Sequence, residues 1–577
     1  MDNRRLILLI VFIGSIYLLI GAWQKYKNPV APQTASSAVP SAPATPPNAP
    51  PASGGQTSAV PPSAGGEVLA PQNDVLRVKT DLYVAGISPQ GGDIVELTLN
   101  AYKAAVPKKL FSPVERKDEA FTLFGAKHSY YAQSGLIGSG LPSHKTRFTV
   151  VEGKTEFEPG ADTLQIRLEA PVVDGVKVSK ILTFTRGSYL IGVSFEIENG
   201  GSREVSAHAY YQLQRDSLSP DGESGMASTF TGPALYTVEN KYEKIAFKDV
   251  GKGKAKFTEK ANDGWIGIVQ HYFVSAWIPA ENLQRTFYVR NLQQNVGPDG
   301  DAIIVSAGVI VPTPTVAPGQ TVRQDISLFA GPQLQNILDR LSKPTTEGGL
   351  GATGLPLVVD YGWLTIVAAP IFWCLDFIYK MVGNWGWSII ILTIFIKLLF
   401  FPLSAAGYKS MAKMRNLAPR MTALKERFGD DKQRLNMEML NLYKTEKINP
   451  FGGCLPIAIQ IPVFIALYWA LLGAVEMRGA PWLLWIHDLS EADPYFVLPV
   501  LMVVTMFIQT KLNPTPPDPT QAKVMMMMPF VFGVMFFFFP SGLVLYWVVS
   551  NILSILQQWQ ITRMFEGGGS GGKAAHS

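Results

Sequence analysis

The run Asn384-Trp385-Gly386-Trp387-Ser388-Ile389-Ile390-Ile391-Leu392-Thr393-Ile394-Phe395-Ile396-Lys397-Leu398-Leu399-Phe400-Phe401-Pro402 reads as a membrane span with one charge in it. Burying a charge in hydrocarbon is costly, so such a residue marks a functional position by default. Lys397 lies about 18 Å past Trp385 and about 8 Å before Pro402 at helical rise. A lysine that near an edge can snorkel its ammonium to the headgroups. Thr393, one turn earlier on the same helix face, extends polarity inward, where snorkelling needs none.

Working toward the C-terminus, Leu403 to Asn449 is a charged helical stretch with ten Lys and Arg. Leu455 to Val475, Tyr495 to Lys511, Val524 to Phe539 and Leu543 to Trp559 are four further apolar runs, and none contains Asp or Glu. Pro540-Ser541-Gly542 is long enough only for a tight turn between the last two. The loop from Glu476 to Pro494 carries Arg478 against Glu476, Asp488, Glu491 and Asp493. Cations mark the cytoplasmic side, so Leu403 to Asn449 is cytoplasmic and Glu476 to Pro494 external.

At the other end of the chain, Leu6 to Trp23 follows Arg4 and Arg5, and its 18 uncharged residues reach about 27 Å. It reads as a retained anchor entering from the cytoplasm, since Gly21-Ala22-Trp23 is a poor cleavage site. Were Tyr361 to Val382 also a span, the ten-cation segment would fall outside. That stretch, interrupted by Pro370, Asp376 and Lys380, is therefore expected to lie in the outer interface.

Between anchor and helices, Asn28 to Gly66 is a Pro/Ala/Ser/Gly-rich tether. From Asp74 apolar residues alternate: Leu76, Val78, Thr80, Leu82 and Val84 against Arg77, Lys79, Asp81 and Tyr83, then Leu164, Ile166 and Leu168. Val178 to Phe184 and Tyr189 to Ile197 flank Arg186-Gly187-Ser188 as a hairpin. Such runs recur to about Phe329, and Leu334 to Leu341 reads as a short helix. The fold class is a polytopic α-helical membrane protein of six transmembrane helices with a large periplasmic all-β sandwich-like domain. The expected divisions are 1–27 (anchor), 28–70 (linker), 71–345 (β domain), 346–382 (connector and interfacial helix), 383–403 (second transmembrane helix), 404–450 (cytoplasmic helical hairpin), 451–563 (four-helix remainder) and 564–577 (Gly-rich tail).

Composition excludes several functions. The net charge of +5 comes without a basic stripe interleaved with aromatics, so sequence-specific nucleic-acid binding is not expected. Cys374 and Cys454 sit in apolar runs and offer neither a disulfide framework nor a metal spacing. His128, His144, His208 and His271 are scattered, no Walker-type loop is present, and no nucleophile, base and orienting group can be nominated together. No enzyme, metal or cofactor is expected. A secondary transporter would call for paired intramembrane carboxylates or repeated halves, and a mere anchor would not need five spans and an internal charge.

Polar groups inside the spans are the remaining candidates. Gln460 sits between Pro456 and Pro462, which weaken the helix around it; an interhelical hydrogen bond is its ordinary alternative. Thr505, Tyr546, Asn551, Gln557 and Gln558 add polarity. The cytoplasmic stretch breaks near Phe428-Gly429-Asp430-Asp431, and its first arm bears a stripe of Met411, Met414, Leu417, Met421 and Leu424. Met525 to Met528 reads as an adaptable apolar surface or plain lipid contact.

The string Asn449-Pro450-Phe451-Gly452-Gly453-Cys454-Leu455-Pro456-Ile457-Ala458-Ile459-Gln460-Ile461-Pro462 closely resembles the signature of the YidC family. So do Gly383 to Ser388, Tyr408 to Met414, Trp485 to Leu489 and Phe539 to Leu543. The resemblance covers residues 360 to 563, and the anchor plus β domain fits its Gram-negative branch. It implies an inner-membrane insertase with a polar groove open to cytoplasm and lipid. The family's groove charge is usually Arg; here Lys397 stands at that position, keeping the charge and losing the planar fork. By the same carry-over Thr393, Phe464, Met502, Met535, Tyr546 and Trp547 face the passing substrate, with Gln460 and Thr505 as further groove groups. Lys409, Lys413, Arg415, Arg420, Lys425 and Arg427 would belong to a capture hairpin. Implied partners are nascent membrane proteins, the Sec translocon, the ribosome or targeting factors at the cytoplasmic loops, and the lipid bilayer.

Overall fold

The computed structural model describes residues 74–104, 119–220, 229–297, 300–428, 431–446, 455–513 and 519–567. The N-terminal anchor, the linker, Asn449 to Cys454 and residues 568–577 lie outside them.

Among the described residues of the first part, eighteen strands follow in chain order: β1 (Leu76–Lys79), β2 (Tyr83–Ser88), β3 (Asp93–Lys103), β4 (Ala120–Phe124), β5 (Tyr131–Ile137), β6 (Thr149–Gly153), β7 (Thr163–Glu169), β8 (Val176–Thr185) and β9 (Leu190–Asn199). Then come β10 (His208–Asp216), β11 (Gly232–Thr237), β12 (Lys241–Lys244), β13 (Lys260–Ala261), β14 (Trp265–Gln270), β15 (Phe273–Ile278), β16 (Arg285–Val296), β17 (Ala302–Pro312) and β18 (Thr321–Pro332). They form two nine-stranded sheets. One runs β1-β2-β3-β5-β10-β17-β16-β13 with β4 beside β3, the other β12-β11-β14-β15-β18-β9-β8-β7-β6. The middles of the sheets meet where β14 faces β17 and β10 faces β15. Period-two burial drives this: in β7, Leu164, Ile166 and Leu168 point inward while Thr163 and Gln165 are exposed. The expected hairpin is β8 and β9, paired from Val176↔Asn199 to Phe184↔Ile191, with Gly187 in the left-handed region at φ +68°.

One strand expectation needs correction. Leu76 to Val84 is not continuous, because the Thr80 hydroxyl accepts from the backbone N–H of Leu82 and Tyr83 and turns the chain. The alternation changes phase there, so Tyr83 is buried and Val84 half-buried.

The helices are α1 (Phe247–Gly251) and α2 (Gln335–Ser342) in the β part, then α3 (Thr365–Val382), α4 (Trp385–Leu399), α5 (Phe401–Phe428), α6 (Lys432–Thr445), α7 (Leu455–Gly473), α8 (Val497–Leu512), α9 (Pro519–Phe536) and α10 (Ser541–Gly567). α10 is the hub, touching α4, α5, α7 and α8. α3 lies on α4 and α7, stacking Tyr379 on Trp385 at 4.0 Å. Its other side leaves Ile366, Trp373, Phe377 and Met381 exposed. α3 by itself is long and apolar enough to cross a bilayer, while α4 and the start of α5 qualify only as one pair bent by 65°. The bend follows from Pro402, which is at home in a helix's first turn and hostile to its interior.

α5 and α6 pack against each other. Leu417 and Met421 of the stripe are buried against Met439, Leu442 and Tyr443. The stripe thus holds the two arms together at these positions, and they are not an exposed surface.

Candidate functional site

Lys397 is placed by both ends of α4. At the start, the Asn384 side chain accepts from the Trp387 N–H at 3.2 Å and donates to the Pro481 carbonyl at 3.1 Å, pinning the helix to the loop before α8. Gly386 allows that approach, since a Cβ there would lie 2.1 Å from the Trp482 ring. At the other end Lys397 falls in the last turn of α4, where the partial negative charge of the terminal carbonyls favours a cation.

The half-buried Lys397 side chain turns into the bundle. Its ammonium donates to Gln460 Oε1 at 3.0 Å on α7 and to Ser554 Oγ at 2.6 Å on α10. The Gln460 amide donates in turn to the Ser550 hydroxyl, and Ser554 Oγ donates to the Ser550 carbonyl at 2.9 Å. Both hydrogen-bond partners of the ammonium are therefore neutral. Beside this network opens a cleft lined by Thr393, Ile396, Lys397, Phe400, Leu403, Ser404, Gln460, Val463 and Tyr546. Thr393 is buried and spends its hydroxyl proton on the Ile389 carbonyl at 2.6 Å, so toward the cleft it offers acceptor capacity.

The other candidates separate into two groups. Phe464 and Trp547 meet edge to face at 4.3 Å, and Phe536 adds to them at 5.2 Å from Trp547. These three rings form an apolar cluster that does not line the cleft, and Met535 is half-buried on α9. Met502 is fully buried on α8, and Thr505 accepts from Asn551 Nδ2 at 3.2 Å, tying α8 to α10. Gln558 makes the same tie lower down, donating to the Leu512 carbonyl.

Ser550 and Ser554 were missed by sequence reasoning. Tyr546, Ser550 and Ser554 recur at spacing four and so share one face of α10, a signal present in the sequence. Of the hairpin cations, Lys409, Lys413, Lys425 and Arg427 are exposed on α5. Arg420 pairs with Glu446 at 2.6 Å, and Arg427 lies 5.4 Å from the Phe428 ring. None of them lines the cleft; the Arg415 side chain lies outside the described ones. Three of the four β-domain histidines have separate partners: His128 with Asp216, His144 with Tyr210, His271 with the Leu472 carbonyl.

Comparison with known proteins gives this arrangement a family. A model described as "YidC periplasmic domain" matches residues 75–374, and one described as "60Kd inner membrane protein" matches residues 377–568. The chain is 55% identical over 578 residues to the membrane protein insertase YidC of Dechloromonas aromatica (strain RCB), covering 100% of this chain and 99% of that protein. The chain belongs to the YidC family. It is also 54% identical to the membrane protein insertase YidC of Aromatoleum aromaticum (strain DSM 19018 / LMG 30748 / EbN1) over the full length of both chains. A solved structure described as "Active YidC insertase crystal structure with the first transmembrane domain resolved" aligns with a TM-score of 0.40 and 17% identity, over 84% of this chain and 92% of that one. The two sheets are thus the family's β-rich periplasmic domain, and α4 to α10 fall in the match to the inner membrane protein.

Proposed function

We propose that the chain is a membrane protein insertase and chaperone. It moves short polar tails of nascent membrane proteins through the cleft at Lys397 and releases their apolar helices into lipid, alone or with the Sec translocon. The observation that carries this reading is an ammonium inside the helical bundle whose hydrogen-bond partners are an amide oxygen and a hydroxyl. A cation seated this way keeps its charge available for a visiting carboxylate.

The energetics favour such a step. An acidic side chain costs about 3 kcal/mol at the bilayer centre on insertion scales. A cation about 4 Å away returns about 4 kcal/mol at an effective dielectric near 20. The cleft lowers the barrier for a short tail, while partitioning of the client's apolar helix and the membrane potential on negative tails supply the drive. Neither needs a nucleotide, and the role is not enzymatic.

The accompanying topology is six spans with both termini in the cytoplasm and the β domain in the periplasm. Within it α3 lies at the outer interface with its exposed aromatic face toward lipid, and α5 and α6 receive nascent chains, the ribosome or targeting factors in the cytoplasm. The division into domains at residues 27, 70, 345, 382, 403, 450 and 563 follows the same reading. Phe464 and Trp547 act here as the packed wall behind the cleft, Met502 and Met535 as apolar packing on α8 and α9, and Thr505 as the tie between α8 and α10.

Complementation of cells depleted of their own insertase tests this. Lys397→Ala and Lys397→Glu are expected to fail with at least one client bearing a charged tail, and Lys397→Arg to be tolerated. Full activity of both the Ala and Glu variants would remove the role of the charge.

A further inference from the structure

Past the end of α7 the chain turns through Val475 to Met477 and presents Arg478 to the β domain. The guanidinium carbon lies 5.0 Å from the Phe121 ring, 5.3 Å from Phe273 and 5.5 Å from Tyr272. Phe121 and Phe273 are themselves stacked at 4.3 Å, and Tyr102 meets Phe273 edge-on at 5.3 Å. Arg478 Nη2 also donates to the Lys103 carbonyl at 2.8 Å. One cation from the helical part thus occupies an aromatic slot built by β3, β4 and the start of β15. A planar guanidinium can lie against rings while its N–H groups reach a carbonyl, which an ammonium does less well.

A second contact lies beside it. His271 Nε2 donates to the Leu472 carbonyl at 2.9 Å, one of the terminal carbonyls that α7 cannot satisfy internally. The His271 ring stacks on Tyr272 at 3.7 Å, so both contacts share one aromatic neighbour. The His271 bond falls on α7 itself and Arg478 on the turn that directly follows it; from Leu472, α7 runs about 18 Å back to Gln460 and through it to the Lys397 ammonium.

We propose that Arg478 and His271 form a latch docking the β domain onto α7, and that through this helix Arg478 is a positioning residue for Gln460 in the cleft. The link to the cleft rests on the function proposed above; the docking itself does not.

The test uses the full chain in lipid nanodiscs, with spin labels at the exposed positions Val172 on the β domain and Met381 on α3. Insertion of an acidic-tail client and an uncharged-tail client is followed in parallel. Arg478→Ala is expected to broaden the label-to-label distance distribution and slow the acidic-tail client roughly tenfold, the scale of one desolvated cation–π contact, leaving the uncharged tail within about twofold. Arg478→Lys, which keeps the charge and a folded slot, should fall between. A distribution of wild-type width in both variants overturns the latch, and an equal slowing of both clients overturns the positioning role. If Lys397→Ala inserts the acidic tail at the wild-type rate while Arg478→Ala still broadens the distribution, the cleft reading fails and the docking stands.

Discussion

Gln460→Glu changes one atom type and leaves the cleft's shape intact. The Gln460 oxygen that accepts from Lys397 at 3.0 Å becomes a carboxylate oxygen, and Ser550 can rotate its hydroxyl to donate where it now accepts. At that distance the new ion pair is worth about 5 kcal/mol at an effective dielectric near 20. A client carboxylate at about 4 Å would gain about 4 kcal/mol from a lone ammonium, so the resident group outcompetes it. Water in the open cleft weakens both terms, and the expected loss is on the order of tenfold to a hundredfold in rate. The variant keeps Lys397, keeps side-chain volume and leaves no unpaired charge, so folding should be intact. The assay is real-time insertion into proteoliposomes of two single-span clients differing only by Asp or Gln in the tail. The rate ratio between them should collapse toward one. A ratio equal to that of the unsubstituted protein would refute the idea that Lys397 acts as an available charge.

Other expectations follow from the packing and the charges. Phe464→Ala removes the ring that meets Trp547 at 4.3 Å and should cost about 3 kcal/mol; a thermal midpoint in detergent unchanged from wild type would contradict that wall role. Leu417→Asp places a charge between the hairpin arms, where Leu417 packs with Met439 and Leu442. It should speed limited proteolysis at residues 428–432, and equal cleavage rates would show that the arms are held otherwise. Burial, with Asp376 adding to it, pushes the Glu476 carboxyl up to about 7 from a reference of 4.5. A raised folded-state value means its stabilising contribution is complete below pH 4.5 and is lost as pH rises through about 7. Glu476→Gln should therefore flatten the fall in thermal midpoint over that window; an unaltered midpoint–pH curve would count against the burial.

Much of this architecture was legible in the chain because its signals are periodic and local. Alternation marked β7, β8 and β9, and Arg186-Gly187-Ser188 marked their turn. It failed at Thr80, where a side chain accepting two backbone N–H groups shifts the phase without altering the apolar pattern. Lys397 and Gln460 stood out because a charge and an amide are expensive in apolar runs. Ser550 and Ser554 did not, since a hydroxyl in a membrane helix can satisfy itself on its own backbone, as Ser554 does with the Ser550 carbonyl. Their spacing gained meaning only with α10 at the centre of the bundle. Met502 and Met535 were equally apolar in the sequence, and only tertiary packing left one fully buried on α8 and the other half-buried on α9. Arg478 carried no local signal, because its partners lie more than 200 residues away in the β domain.

The central claim is that a client's polar tail enters the cleft beside Lys397. Photocrosslinking probes at Ser404 and Leu403, which line the cleft, and at Met502, buried on α8, can be tested against a ribosome-stalled client in native membranes. The account predicts strong crosslinks from the tail to Ser404 and Leu403 and none to Met502. Equal labelling at all three positions, or labelling by lipid alone, would contradict it.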